Sequence, residues 1–338
     1  MTEAAAAYAL LNAPAGMAVR RHALELMRRI DRAHARWRVS PHQEALHDFR
    51  VAVRRLRSWL EAHEEEVPLS SKLYGKLRRL ARETNRARDA DVALAWLQAH
   101  RAQLKTGERH GWRWLLDRYR QERDDEHARL RAKLSKRWER MEDRLKSALA
   151  DHPVAQHARY AECCAARLDV YYETLTAHLN AVRGVEEDEA IHHARIAAKR
   201  LRYLLEPMGP ALPAARAMIT RLTDMQDRLG HIHDMNVLHH RLGEVAVEAA
   251  AAHARRCLRA ALAPSGAADL KNLRRRDPLP GLIALACLAR REAYTGYASY
   301  TGDLGRSDGE APFLKKDMDP LRVALLGLPI KNDASLAE

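Results

Sequence analysis

Two segments of the sequence carry a histidine followed by three cationic residues at one common spacing. In each segment the cations follow the histidine by three, seven and ten residues, which keeps them near one face of a helix. The eight residues are His47, Arg50, Arg54 and Arg57 in the first segment and His192, Arg195, Lys199 and Arg202 in the second. Arginine donates paired hydrogen bonds to phosphate oxygens, and a histidine adds a further donor, especially when protonated. These residue types indicate a site for a phosphate-bearing anion.

The two segments belong to an internal duplication. They are offset by 145 residues, and the same offset aligns Lys76 with Arg221 and the segment around Asp89 with the segment around Asp234. Separate motifs that agree on one offset predict two copies of a multi-helix unit.

Each segment is amphipathic when it is placed on a helix at about 100° per residue. A basic stripe then runs directly beside an apolar stripe. The apolar positions of the first segment are Phe49, Val53, Leu56 and Leu60. Like charges at three- and four-residue spacing destabilise an isolated helix by roughly a few tenths of a kcal/mol per pair, so a neutralising anion is expected. A solvated basic face is the alternative, and the retention of both stripes in both copies favours a binding face.

The composition favours helices around these segments. Phenylalanine occurs only twice in 338 residues, and alanine, leucine and arginine dominate. Because β-branched and aromatic residues are scarce, we predict an all-α fold. The formal net charge of +13 predicts an anionic partner.

Hydrophobic periodicity predicts a similar order of helices in both copies. The predicted helices are residues 19–35, 41–65, 70–86, 90–102 and 112–150, then 155–183, 188–206, 213–229, 235–262 and 282–300. We predict a first repeat over residues 19–150 and a second over 153–300. A weaker match of Gly111 with Gly281 at a larger offset predicts a loop insertion in the second copy near 263–280. Residues 301–338 are predicted to form a poorly ordered tail with a turn of helix near 321–326.

The cysteines and the apolar segments indicate a compartment. The four cysteines have no CxxC spacing, which argues against a disulfide framework and favours a reducing cytoplasm. The apolar N-terminal stretch lacks the basic segment of a signal peptide, and no long uncharged run predicts a membrane span. We therefore expect a cytoplasmic protein without a membrane partner, and the sequence indicates no obligate protein partner.

The duplicated motifs resemble the signature of the CHAD domain, the conserved histidine α-helical domain. The signature has the form H-x-x-R-[hydrophobic]-x-x-[RK]-R-L-R, followed by a helix that ends in L-G-x-x-[RH]-D-x-x-V. Both elements occur twice here, and the resemblance covers residues 19–300. It implies two pseudo-symmetric helical bundles around a central basic groove or channel. It also implies binding of inorganic polyphosphate without catalysis, and an association with polyphosphate granules.

The resemblance also implies roles for individual residues. The four residues of each segment would line the groove from opposite sides, and Lys76 and Arg221 would add to the lining. The first copy departs from the pattern, because Thr84 and Asn85 stand where the second copy keeps Leu229 and Gly230. An E-x-E-x-K motif of the CYTH domain that often accompanies the family does not occur in the sequence, so its tripolyphosphatase or cyclase chemistry is not indicated.

Asp89 and Asp234 occupy equivalent positions in the second motif. Each carboxylate is expected either to orient an arginine or a histidine of the groove or to cap the N-terminus of a helix. The two roles are compatible.

Other functions have weaker support from the sequence. Several histidines are close in sequence, but HExxH and paired CxxC motifs do not occur, so no metal or cofactor is expected. Without a P-loop, GxSxG or GxGxxG motif, we expect no enzymatic activity, and an enzyme acting on phosphorylated small molecules is the less favoured alternative. The main alternative is a general nucleic-acid- or polyanion-binding protein, which predicts aromatic side chains interleaved with the cations.

Overall fold

The described part of the chain is built from α-helices. The computed structural model describes residues 2–40, 43–150, 158–263, 266–303 and 312–328, and within these ranges no strand forms. The helices are α1 (Glu3–Asn12), α2 (Ala15–Val39), α3 (Gln43–Ala62), α4 (Ser71–His100), α5 (Arg109–Ala150), α6 (Tyr160–Ala181), α7 (Asp188–Leu205), α8 (Pro213–Ala261), α9 (Gly266–Arg275), α10 (Leu279–Asp303) and α11 (Pro312–Leu326). The predicted all-α fold is confirmed.

The helices pack in two series that meet at several places. Helix α3 packs against α2 and α4, and α4 packs against α5; in the second series α7 packs against α6 and α8, and α8 packs against α10. Contacts of α3 with α7, of α5 with α10 and of α2 with α6 join the two series. The predicted repeat boundaries, 19–150 and 153–300, stay predictions, and residues 151–157 lie outside the described part of the chain.

The apolar stripe of each motif helix faces the core. On α3 the four predicted apolar positions are buried, and so is Trp59, whose indole N–H donates to the carbonyl oxygen of Val19 at 3.0 Å. On α7 the corresponding positions Ala194, Ala198, Leu201 and Leu205 are equally buried. Because burial of a large apolar side chain stabilises the fold by about 1.5–3 kcal/mol, these stripes fix the rotation of both helices. The basic stripes are thereby turned away from the core.

Two glycines allow α5 and α10 to meet at close range. A Cβ atom added to Gly111 would lie 2.2 Å from the carbonyl oxygen of Pro278 and 2.8 Å from the Cα atom of Gly281. A Cβ atom on Gly281 would lie 2.9 Å from the Cα atom of Gly111. The two glycines paired by the weaker sequence match are therefore in direct contact, and neither position has room for a side chain.

Two predicted helix breaks are wrong. Helix α4 continues through residues 87–89, and α8 continues through 230–234. Ala87 and Ala90 are fully buried in α4, and so are Leu229, Gly230 and Ile232 in α8. Packing therefore holds the helical backbone where glycine and polar residues lower the local propensity.

The predictions for the insertion and the tail also need correction. The segment 263–280 contains helix α9, which packs against α8, instead of a plain loop. In the tail, α11 is a full helix that packs against α6 and α8 and buries Leu321 and Leu325, because these two residues lie one turn apart on the same face. Residues 304–311 and 329–338 lie outside the described part of the chain. Among the described residues no helix is long and apolar enough to cross a membrane.

Candidate anion-binding site

Packing of α3 against α7 brings the two basic stripes together. After burial, the strongest influences on the charge of Lys199 on α7 come from Arg54, Arg195, Arg57 and Arg202, two from each motif helix. We call the six cations at the predicted positions of these two helices the basic cluster. Its members are Arg50, Arg54, Arg57, Arg195, Lys199 and Arg202.

Lys199 lies at the centre of the basic cluster and is half-buried. Burial first, and then the four neighbouring arginines, together lower the pKa of its ammonium group from 10.5 to about 7. Both causes disfavour the charged form. The isolated protein therefore holds a cation in an environment that repels positive charge and would favour a nearby anion.

Arg50 is held by a neighbour on α4. One terminal nitrogen of its guanidinium donates to the side-chain oxygen of Asn85 at 2.9 Å. Burial, opposed by Asp89 and reinforced by Arg54 and Arg88, lowers the pKa of Arg50 to about 10. The guanidinium stays charged at neutral pH, and its hydrogen bond to α4 holds this positive charge in place on α3.

The first copy has Asn85 where the second copy has Gly230, and the contacts of these two residues explain the difference. In the second series, a Cβ atom on Gly230 would lie 3.2 Å from the Nε atom of Arg195. Arg195 thus lies against the backbone of α8, where a side chain would crowd it. The first copy uses an amide that accepts a hydrogen bond from Arg50, and the second uses a glycine that makes room.

The last cation of the basic cluster on each motif helix lies near an acidic residue, and the two acids occupy equivalent positions. Arg57 lies 3.7 Å from Glu61, and Arg202 lies 3.6 Å from Glu206, each one helical turn further along. Arg54 donates from Nε to the hydroxyl oxygen of Tyr203 at 2.9 Å, which links α3 directly to α7. These contacts fix the directions of the cations without neutralising all of them.

Several buried nitrogen atoms in the cluster make no hydrogen bond, although the Nε atoms of Arg57 and Arg202 face Glu61 and Glu206 at 3.7 and 3.6 Å. The Nε atoms of Arg50, Arg57 and Arg202 are buried and make no hydrogen bond, and the Nδ1 atom of His192 is in the same condition. A buried polar group without a partner is costly, and such groups are rare in native proteins. The described protein thus leaves the guanidinium groups of both motif helices short of acceptors.

The histidines flank the basic cluster. Burial lowers the pKa of His47 and of His192, and nearby cations lower both further. His47 is exposed at the surface, whereas His192 is half-buried with its ring centroid 5.0 Å from that of His233. The pKa of His233 is also lowered, first by burial and then by Arg195. Both motif histidines are therefore neutral near pH 7 in the free protein.

His233 and Arg88 are site residues that the sequence interpretation missed. They occupy equivalent positions at the [RH]-D step of the second motif, and each acts on the charge of the histidine in its own half, Arg88 on His47 and His233 on His192. The sequence could have indicated both residues, because a basic side chain directly precedes the aspartate in each copy of the second motif.

The predicted capping role of Asp89 and Asp234 is wrong. Both residues lie inside continuous helices, because α4 and α8 do not break at these positions. The surrounding protein limits hydration of the Asp89 carboxylate and raises its pKa although the residue is partly exposed; Arg50 opposes this shift and Asp234 adds to it. The two aspartates are thus close enough to sense one another, and Asp89 is placed to orient Arg50.

Lys76 on α4 and Arg221 on α8 lie on the helices that pack against α3 and α7. On α8, Thr223 lies two residues after Arg221 and accepts a hydrogen bond from Arg202 of the basic cluster at 3.3 Å. Lys76 is half-buried and Arg221 is exposed. Their predicted part in the lining stays a prediction. Among the described residues, no group of three or more histidine, cysteine, aspartate or glutamate side chains is arranged to hold a metal ion.

Comparisons with known proteins give the same fold. The crystal structure of the CHAD domain from the plant Ricinus communis is similar, with a TM-score of 0.61 and 21% sequence identity over 89% of this chain and 94% of that chain. PptA from Streptomyces chartreusis is similar with a TM-score of 0.50 and 20% identity, over 84% of this chain and 100% of that one. No curated protein sequence matches.

The sequence pattern of the CHAD domain matches residues 21–243, which is more than half of the chain and includes both motif helices. The helical architecture, the paired motif helices and this match agree. The chain therefore belongs to the CHAD domain family.

Proposed function

We propose that the protein binds inorganic polyphosphate through the basic cluster, and that it does so without catalysing a reaction. The observation that carries the proposal is the position of Lys199, half-buried among four arginines from two helices. A chain of phosphates would neutralise this charge and supply acceptors to guanidinium groups that lack them. Membership of a family linked to polyphosphate supports the same ligand.

The aromatic residues near the cluster favour a phosphate chain over nucleic acid. Phe49 and Trp59 are buried in the core, and Tyr203 is buried with its hydroxyl group engaged by Arg54. Single-stranded nucleic acid is usually held by exposed aromatic rings on which bases stack. The motif helices present no such ring among their described side chains, so the ligand is recognised through its phosphates.

Binding of this kind depends on chain length and salt. Each added phosphate unit brings further contacts and releases counterions, so long chains should bind more tightly than short ones. Affinity should fall steeply as salt rises, because the interaction is electrostatic. Through such binding the protein would associate with polyphosphate granules.

The test is a competition experiment near physiological salt. Labelled long-chain polyphosphate is bound to the protein, and unlabelled polyphosphate, duplex DNA, RNA, ATP and orthophosphate are added as competitors. We expect unlabelled polyphosphate to compete far better per charge than the others. Equal competition by nucleic acid would identify a general polyanion binder and contradict the proposed specificity.

A charge-reversal variant locates the site. Arg54→Glu with Lys199→Glu should abolish polyphosphate binding at the basic cluster while far-UV circular dichroism stays helical. The matched control reverses two exposed cations outside the basic cluster, Arg255→Glu with Arg259→Glu, and changes the net charge equally. If both variants weaken binding to the same degree, net charge rather than the cluster governs the interaction.

A further inference from the structure

A second group of cations lies between α4 and α5, outside the motif helices. It lines a cavity of about 410 Å³. The six cations of this α4/α5 cavity are Arg79, Arg82, Arg86, Arg129, Lys133 and Arg137. Two acids, Glu83 and Glu126, also line it, so the cations outnumber the acids by four.

The acids of the cavity do not neutralise all of its cations. Glu126 lies 3.0 Å from Arg129 and 4.0 Å from Arg86, and Glu83 pairs with Arg137. The side chains of Arg79, Arg82 and Lys133 take part in none of the ion pairs or side-chain hydrogen bonds of the described residues. These three exposed cations therefore leave the cavity with an excess of positive charge.

The cations form two facing rows. On α4 they are spaced three and four residues apart, and on α5 they are spaced four residues apart, so each row extends roughly 10–12 Å. Like charges at these spacings destabilise a helix unless an anion lies among them. The length and spacing of the rows fit an extended anion that repeats its charge.

The side chains that line the cavity favour a phosphate ligand over a nucleotide base. Leu130 and Leu134 form an apolar floor and are buried, and no aromatic side chain lines the cavity. A nucleotide base therefore finds no ring to stack on, whereas arginine and lysine side chains suit phosphate oxygens.

The α4/α5 cavity is separate from the basic cluster. Arg79, Arg82 and Arg86 lie at about 60–120° around α4 from Asn85, the residue that holds Arg50. The α4/α5 cavity and the contact of Asn85 with Arg50 thus lie on different faces of α4. Neither needs the other to form.

We propose that the α4/α5 cavity is a second phosphate-chain site, which binds short inorganic oligophosphate independently of the basic cluster. The same chemistry would also hold a segment of a long chain whose other part lies on the basic cluster. Comparing short and long chains distinguishes these two sources of the ligand.

The experiment is a calorimetric titration of tripolyphosphate into the full chain and its variants. Arg82→Glu with Lys133→Glu should reduce the bound anions from two to one, and Arg54→Glu with Lys199→Glu should remove the other. Combining the four substitutions should abolish binding, while the Arg255→Glu, Arg259→Glu control retains both anions. A milder pair, Arg82→Gln with Lys133→Gln, serves if the reversed pair fails to fold, as judged by circular dichroism.

The outcomes separate the two sites. If the Arg82→Glu, Lys133→Glu variant binds tripolyphosphate with the stoichiometry and affinity of the unaltered protein, the second site is refuted. If the basic-cluster variant alone abolishes all binding, the second site is refuted as well and the proposed function stands. If only the cavity variant loses binding, the cavity is supported and the proposed function fails. A loss of about tenfold or more with long chains as well would place a segment of the long chain in the cavity.

Discussion

Protonation of Lys199 should make polyphosphate binding dependent on pH in the alkaline range. In the free protein its pKa is lowered to about 7, by burial first and then by the surrounding arginines. A bound polyanion favours the ammonium form, so binding returns the pKa toward its ordinary value of 10.5. The complex therefore holds a proton at pH 8 that most free molecules lack.

The magnitude follows from the pKa. With a pKa of about 7, roughly one free molecule in ten carries a charged Lys199 at pH 8, so protonating the remainder costs about 1.4 kcal/mol. At pH 6 nearly every molecule is already charged and this cost disappears. Lys199 alone should thus weaken binding about tenfold from pH 6 to pH 8, and about tenfold further at pH 9.

The assay is calorimetry in two buffers of different ionisation enthalpy, which counts the protons taken up on binding. We expect uptake of about 0.9 proton from Lys199 at pH 8. Lys199→Arg is the matched control, since it keeps the charge but does not titrate in this range. If the unaltered protein and the Lys199→Arg variant take up equal numbers of protons and show the same pH slope between 7.5 and 9, the reasoning is refuted.

Two further predictions concern stability. Gly111→Ala should lower the free energy of unfolding by about 2 kcal/mol or more, because the new Cβ atom would lie 2.2 Å from the carbonyl oxygen of Pro278; a denaturant melt with Gly107→Ala as an uncrowded control tests this, and equal losses would contradict it. Lys199→Gln should raise the melting temperature most below pH 7, where the lysine is charged in the folded and the unfolded state and only the folded state disfavours the charge. Above the folded pKa the folded protein releases this proton first, so the gain should shrink as pH rises from 7 toward 10.5, and melts at pH 6 and 9 that show equal gains would exclude this origin.

The sequence alone determined the local design of the motif helices. Apolar and basic residues recur at helical spacing beside one another, so Phe49, Val53, Leu56 and Leu60 could be assigned to the core and the cations of α3 and α7 to another face. The offset of 145 residues identified Asp89, Asp234 and the equivalent cations in both copies. These features follow from the spacing of residues along the chain, which can be read from the sequence without knowing the fold.

Only the tertiary structure decided which helices continue and which cations meet. Helices α4 and α8 run through positions that local propensity marks as breaks, because buried neighbours such as Ala87 and Leu229 hold the backbone helical. Propensity is weak compared with packing, so a single sequence cannot settle such points.

The meeting of Arg54 with Lys199 depends on the packing of α3 against α7, which brings together residues far apart along the chain. Contacts of that kind also place Tyr203 beside Arg54 and collect the cations of the α4/α5 cavity on two antiparallel rows. The sequence supplied the charges, and the packing of helices gave them an arrangement, since electrostatic interaction depends on distance in space and burial rather than on order along the chain.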